Sequence, residues 1–234
     1  IVTLVARNAS TLDTARSSLI AAFPSAVARI GVVSADLKDP VAAVAAIDQA
    51  EQKLGVVHIL VNSAGAARRT PPDELTPQHW RDAMDAKYFT YVNVIDPLIK
   101  RMASRGAGVV LNVVGMGGKV ATLTHMAGGA ANAALMLISA GLAAAYGPRG
   151  VRVNAVNPSL TLTERMEEGL QADARLNGIT RQEALAQASA RMPLGRVATA
   201  EEIANAVLFL CSPRASYISG AIVSMDGAIS PIVV

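Results

Sequence analysis

Apolar runs and helix-length stretches alternate along the chain. IVTLVA (1–6), ARIGVVSA (28–35), VHILVN (57–62), GVVLNVV (108–114), VRVNAV (151–156) and AIVSMDG (221–227) are rich in β-branched residues, as strands covered on both faces require. Between them STLDTARSSLIAAF (10–23), DPVAAVAAIDQAEQKLG (39–55), PQHWRDAMDAKYFTYVNVIDPLIKRMA (77–103), GGAANAALMLISAGLAAAYG (128–147) and TAEEIANAVLFLCS (199–212) have helical patterns. Boundaries are marked by Asp39-Pro40, by Thr199 with Glu202 as a capping box, and by Gly147-Pro148 followed by Gly150. Strands joined by helix-length crossovers predict an α/β fold, a doubly wound parallel sheet, in a single domain over 1–234. The segment 159–198 differs: it is polar and helix-prone (ERMEEGLQADARL), with no strand expected before MPLGR (192–196). An insertion after a strand's carboxyl end overhangs the ligand crevice of such a sheet, so this segment is expected to be a lid.

Composition narrows the classes. Hydrophobic residues make up 52% of the chain and aromatic ones only 3%, so small branched side chains fill the core and helices pack close to the sheet. Lys and Arg number 21 against 18 Asp and Glu, a net charge of +3, and the cations are scattered rather than striped; a nucleic-acid partner is not expected. One cysteine, Cys211, excludes an internal disulfide and reads as core packing. His58 and His79 lack metal-ligand company, so no metal site is expected. No leader pattern opens the chain and no stretch reaches the roughly 20 uninterrupted apolar residues of a membrane helix, so a cytoplasmic location without membrane association is expected.

Three motifs occur in order: VNSAG (61–65), VRVNAVNPSLTLT (151–163), and MPLGR, EEIANAVLFLCS and ISGAIVSMDGA within 192–228. Together they resemble the NNAG turn, the RVNxVxPGxxxT segment and the C-terminal half of the short-chain dehydrogenase/reductase family, in particular its 3-oxoacyl-carrier-protein-reductase-like members. The resemblance covers essentially the whole chain. It implies a Rossmann-like three-layer sandwich, NADP(H) preferred over NAD(H), a small-molecule carbonyl or alcohol substrate, and a homodimer or homotetramer.

Carried onto this sequence, the resemblance assigns Arg7, Asp36, Leu37, Asn62, Ala64, Gly65, Pro158 and Thr163 to the cofactor. At the end of the first visible strand Ala6 removes the acid that would meet the ribose hydroxyls of NAD, and Arg7 supplies a fork of donors for the 2′-phosphate of NADP; the alternative is an ordinary surface arginine. Asp36 would meet the adenine amino group. Asn62, Ala64 and Gly65 would let the backbone pass close to the cofactor, or form an ordinary strand-end turn. Ser159 replaces the glycine of PGxxxT.

Two family features are missing. The glycine-rich TGxxxGxG turn that sets backbone N–H groups against the pyrophosphate is absent, and the chain opens at what resembles the second strand. In the family's strand order, 3-2-1-4-5-6-7, the first strand is central. Losing its buried side chains, at roughly 1.5–3 kcal/mol each, would consume much of the roughly 5–15 kcal/mol that holds a domain together. The domain is therefore expected to be N-terminally incomplete and the natural chain to continue upstream of Ile1.

The second loss is chemical. Counting back from VRVNAV places the family's Asn-Ser-Tyr-Lys tetrad on Lys87, Gly115, Gly128 and Asn132. No Tyr lies between Tyr91 and Tyr146, no Ser between Ser104 and Ser139, and no Lys after Lys119, so no shift of alignment recovers the tetrad. A general acid contributes about 10²–10⁴-fold, which glycine cannot supply. Candidate replacements are His125, near the vacant tyrosine position, and Lys87, a cation in the same cleft; the bland alternatives are a hydrogen-bonded loop histidine and a helix-surface lysine. Asn132 could still bond a ribose hydroxyl. Tyr88 and Tyr91 are expected to pack, and Asn112 and Asn154 to satisfy buried backbone groups.

These residues allow an atypical NADP(H)-dependent oxidoreductase with weakened or lost activity, a non-catalytic binding or partner subunit, including a hetero-oligomer with an active paralogue, or a non-redox hydration or isomerisation in the enlarged pocket.

Overall fold

The computed structural model describes residues 1–65 and 68–231. In chain order the elements are β1 (Val2–Ala6), α1 (Ala9–Ala22), β2 (Ile30–Ser34), α2 (Pro40–Leu54), β3 (Ile59–Asn62), α3 (Pro77–Ala83), a π-helical turn (Met84–Phe89), α4 (Thr90–Ser104), β4 (Gly108–Val113), α5 (Met126–Tyr146), β5 (Val151–Pro158), β6 (Thr161–Leu162), α6 (Glu164–Asn177), α7 (Arg181–Ala190), β7 (Ala198–Thr199), α8 (Ala200–Cys211) and β8 (Ile222–Met225). The strands and helices alternate as the apolar runs predict.

All strand pairs are parallel, and they form separate ladders: β1–β2, β3–β4–β5–β8, and the short β6–β7. No described strand lies between β1 and β3, the central place in the family order. On β3 Ile59 and Val61 are 47% and 44% exposed, whereas Val110 and Leu111 of its partner β4 are completely buried. Strand alternation then builds two cores. Val110 and Val153 face one way, against Tyr91, Ile95, Leu98 and Met102 of α4 and Leu135 of α5. Leu111 and Val156 face the other way, against Ile203 and Leu210 of α8 and Ala215. The result is the layered α/β sandwich.

Helix ends follow the expected chemistry. Asp39 caps α2 ahead of Pro40, accepting from the Val41 amide, and Thr199 and Glu202 form a reciprocal capping box on α8. His79 closes a similar box with Thr76 at the start of α3, a structural role. Between α2 and α4, Glu51 bonds Arg101 at 2.8 Å and Arg105 at 3.4 Å, and also accepts from the Val57 amide at 3.2 Å. Burial alone would raise the Glu51 carboxyl, but the Arg101 and Val57 hydrogen bonds and the two guanidinium charges hold it below its usual range.

Three expectations are corrected. The span Leu123–Arg149 is long and apolar enough to cross a membrane by length and composition, and 44% of its apolar 18-residue stretch is buried. In α5 Ala127, Gly128, Gly129, Ala131, Asn132, Leu135, Ser139 and Ala143 are buried, so α5 packs as a core helix. The segment 159–198 contains a strand before MPLGR, the two-residue β6, which pairs with β7 at the segment's base. Asn154 serves the backbone as expected, donating to Ile218 O and accepting from the Ala221 amide, but Asn112 bonds side chains instead, as described below.

Candidate active site

Because the strands are parallel, their carboxyl ends open on one side, where an open α/β sheet binds its ligands. Arg7 leaves the end of β1 and is exposed; its carbonyl accepts from Ser34 Oγ at 2.9 Å, and its guanidinium forms no ion pair among the described residues. Asn8 follows and caps α1, accepting from the Ser10 and Thr11 amides at 2.9 and 3.2 Å. Beside it Asp36 is exposed, its Oδ1 accepting from the Lys38 amide at 3.1 Å, and Leu37 packs against the main core. Asn93 of α4 fixes this loop by donating to both Leu37 O and Lys38 O at 3.0 Å. Sequence reasoning missed Asn93, whose signal is a lone amide set between Val92 and Val94.

Asn62 ends β3 but turns inward. Its Nδ2 donates to Asn112 Oδ1 at 2.9 Å, Asn112 Nδ2 donates to Ser139 Oγ at 2.9 Å, and Ser139 donates to Leu135 O at 2.6 Å. This buried chain ties β3, β4 and α5 together, so the Asn62 side chain serves the frame. Ala64 and Gly65 are exposed on the turn that follows. Gly65 has φ +86°, and a Cβ there would lie 2.1 Å from Ala86 O. Only glycine fits, on both counts.

The other half of the site is built around the end of β4. Lys87, in the π-helical turn, donates from Nζ to Tyr91 Oη at 2.9 Å and to Val113 O at 3.2 Å, and Tyr91 Oη donates to the same carbonyl at 2.9 Å. The Lys87 ammonium lies 4.7 Å from the Tyr91 ring centroid. Thr90 Oγ1 donates to Asp85 O at 2.9 Å, across the widened turn that a π insertion creates. Tyr91 is fully buried, and burial drives its phenol well above its ordinary range, so it stays a phenol. It packs, as expected, and also holds Lys87. From the other side Asn157 Nδ2 donates to Val114 O at 2.6 Å.

Gly115 follows this pinned strand end, and α5 supplies the opposite wall. Gly128 and Asn132 lie one turn apart on the same face of α5 and are buried. Asn132 is 4% exposed, and its Oδ1 has no hydrogen-bond partner among the described residues. Its Nδ2 lies 3.2 Å from where a Cβ on Gly115 would stand. His125, half-buried at the N-terminal end of α5, brings its Cδ2 to 3.2 Å from the corresponding position at Gly117. At Gly129 a Cβ would stand 2.7 Å from Gly117 O, so α5 packs against the backbone of the turn Met116–Gly118. Lys87, Gly115, Gly128, Asn132 and His125 are thus gathered around one strand end.

Pro158 ends β5 in register with Met225. Thr163 accepts from the Met166 amide at 3.3 Å as the N-cap of α6, a role sequence reasoning did not assign. Beyond it α6 and α7 pack on each other through Leu170, Ala174 and Ala184 as a separate small core.

A cavity of about 570 Å³ lies elsewhere, at the amino ends of β4 and β5, lined by Gly108, Val151, Arg152 and Tyr217. Arg152 there donates to the carbonyls of Leu210, Ser212 and Ile218 and so finishes α8; burial lowers its guanidinium. A cavity of about 370 Å³ beside the loop after β3 is lined by Lys38, Arg68, Thr70, Asp82, Asp85 and Ala127. Among the described residues no three His, Cys, Asp or Glu side chains converge to hold a metal.

Comparison with known proteins adds relatives to this geometry. The family model described as enoyl-(acyl carrier protein) reductase matches residues 2–230. The D-threitol dehydrogenase of Mycolicibacterium smegmatis is 34% identical over 195 residues, 82% of this chain and 70% of the relative. Among solved structures, L-sorbose reductase from Gluconobacter frateurii, complexed with NADPH and L-sorbose, is 28% identical with a TM-score of 0.91, over 99% of this chain and 87% of that one. An NADPH-bound short-chain oxidoreductase from Pseudomonas aeruginosa PAO1 with an atypical catalytic center is 26% identical with a TM-score of 0.87, over 99% and 87%.

Proposed function

The chain belongs to the short-chain dehydrogenase/reductase family, and from that premise we propose that it is an NADP(H)-dependent oxidoreductase interconverting a carbonyl and an alcohol on a small hydroxylated molecule, with Lys87 as proton donor. The observation that carries this reading is the anchoring of Lys87 Nζ by Tyr91 Oη and Val113 O. A half-buried cation fixed at the strand end is suited to an oxygen that gains negative charge during reduction. Hydroxylated substrates are favoured because the similar enzymes act on D-threitol and L-sorbose.

The residues present fit NADP(H) at the two ends of the crevice. Arg7, exposed and outside any ion pair among the described residues, would hold the 2′-phosphate. Asp36 and Leu37 would flank the adenine, Ala64 and Gly65 would let the backbone pass close to the cofactor, and Pro158 and Thr163 would border the nicotinamide. The glycine-rich pyrophosphate turn is not part of residues 1–234. NADPH, when bound, supplies the hydride. Lys87 then gives its proton to the carbonyl oxygen and regains one from water, while the segment 159–198 limits solvent access as a lid. His125 borders the same pocket and orients the substrate. The exposed Leu137 on α5 offers an apolar contact for a homo-oligomer.

A second reading rests on Gly115 and Gly128, which offer a substrate no side-chain bond: a non-catalytic subunit that keeps the cradle. Steady-state NADPH oxidation with L-sorbose and 1,3-dihydroxyacetone separates the two. Turnover that falls about 10²–10⁴-fold in Lys87→Met supports the enzyme; inert wild-type protein that still binds NADPH supports the subunit.

A further inference from the structure

We propose that Asn93 is a positioning residue: it aims the Asp36 carboxylate at the base of the cofactor and so makes the chain select adenine, a base that carries an amino group. The inference rests on the NADP(H) reading above, in which Asp36 flanks the adenine, and adds a residue that does not itself touch the cofactor.

The turn 36–39 hangs between two fixed ends. At one end the Ala35 amide donates to Ala6 O at 3.0 Å and closes the β1–β2 ladder, and at the other Asp39 caps α2. The two inner peptide groups of the turn are each held on both sides. The peptide joining Leu37 to Lys38 accepts from Asn93 Nδ2 at 3.0 Å through its carbonyl and donates through the Lys38 amide to Asp36 Oδ1 at 3.1 Å. The peptide joining Lys38 to Asp39 accepts from the same Nδ2 at 3.0 Å and donates through the Asp39 amide to Asp36 O at 3.1 Å. A planar peptide points its carbonyl and its amide in opposite directions, so whatever fixes the one aims the other. Asn93 thus acts on Asp36 through two rigid units, and both hydrogens of its amide are used in doing so.

The carboxylate held in this way has an oxygen to spare. Asn93 stands on α4 and is half-buried, whereas Asp36 is exposed beyond the carboxyl end of β2, and its Oδ2 accepts no hydrogen bond among the described residues. With Oδ1 pinned by the Lys38 amide, the direction of Oδ2 is set. A carboxylate accepts from the amino group of adenine and repels the oxo group that hypoxanthine carries in its place. A loose carboxylate turns instead to the neighbouring ring N–H of hypoxanthine; a pinned one does not follow. Asn93 therefore governs the choice between the two bases and not only the strength of binding.

Calorimetric titration of the full chain with NADPH and with its hypoxanthine analogue, deamino-NADPH, tests this without turnover. Wild type is expected to bind NADPH at least about 10-fold tighter than the analogue, the value of a hydrogen bond to a charged acceptor. Asn93→Ala and Asn93→Leu both remove the two donors, and the leucine nearly fills the volume of the amide. In each the preference is expected to fall to about 2-fold or less, through lost NADPH affinity, with the analogue bound about as in wild type. General damage to the fold would weaken both nucleotides together and leave their ratio standing. An unchanged ratio in the two variants, with or without weaker binding, overturns the proposal. Wild-type protein that binds both nucleotides equally well also overturns it, and leaves the NADP(H) reading in place. Wild-type protein that binds neither overturns the NADP(H) reading, and the proposal with it.

Discussion

Tyr91 Oη and Lys87 Nζ lie 2.9 Å apart on successive turns of one helix, and both reach the carbonyl of Val113. A phenol and an ammonium one turn apart thus converge on the strand end that leads to Gly115. The phenol is sealed in the core, so the tyrosine acts as a support for the lysine, which we propose as the proton donor.

Tyr91→Phe should leave Lys87 with one fewer bond and lower turnover about 10-fold, with NADPH affinity unchanged. It should also change the response to alkali. The folded phenol titrates above its ordinary value of about 10, so its contribution is complete below pH 10 and is lost as pH rises further toward the folded value. Denaturant unfolding between pH 9 and 11 should therefore show a smaller alkaline loss in the variant than in the wild type.

Two glycines of α5 should respond in opposite directions to alanine. At Gly129 the new methyl meets Gly117 O at 2.7 Å, and neither backbone can withdraw, so destabilisation of about 1–3 kcal/mol is expected. At Gly141 no atom of the described residues outside its own helix backbone and chain neighbours lies within 4 Å of the new methyl, and alanine should stabilise by about 0.5–1 kcal/mol through its higher helix propensity. Thermal unfolding of the pair checks both signs.

The open edges of β1 and β3 should be evident in hydrogen exchange of the chain 1–234. Among the described residues the amides of β3 that are not bonded to β4 have no strand partner, whereas those of β4 lie between two strands. Exchange at least 10³-fold faster at the β3 edge than in β4 is expected, and comparable protection on both strands would contradict the split sheet.

Arg7→Ala should weaken NADPH binding by about 10–100-fold, the value of a charge-assisted contact, while NADH affinity stays the same. Calorimetric titration with both nucleotides reads the difference directly. Equal losses for the two would remove the 2′-phosphate from Arg7.

The sequence shows the frame because strand runs and helix caps are local. The valine- and isoleucine-rich runs became β1 to β5 and β8, and Asp39 and the Thr199–Glu202 pair cap the helices they precede. Counting along the chain also located Lys87, Gly115, Gly128 and Asn132, which the fold brings to one strand end. Features that depend on distant partners were not legible. One extra residue in a helical turn leaves the apolar period almost unchanged, so the π-helical turn at Met84–Phe89 was invisible, although the resemblance had already set Lys87 in the cleft. Asn112 read as a backbone partner because nothing local reveals that Asn62 and Ser139, 50 and 27 residues away, meet it. The β6–β7 ladder was missed because two residues carry no period.

The most direct measurement is the rate of NADPH oxidation with a hydroxylated ketone in wild type and Lys87→Met, accompanied by the NADPH dissociation constant of each. The expected outcome is measurable wild-type turnover, a fall of about 10²–10⁴-fold in the variant, and equal cofactor affinity. Equal rates in the two proteins would contradict the assignment of Lys87 as the proton donor.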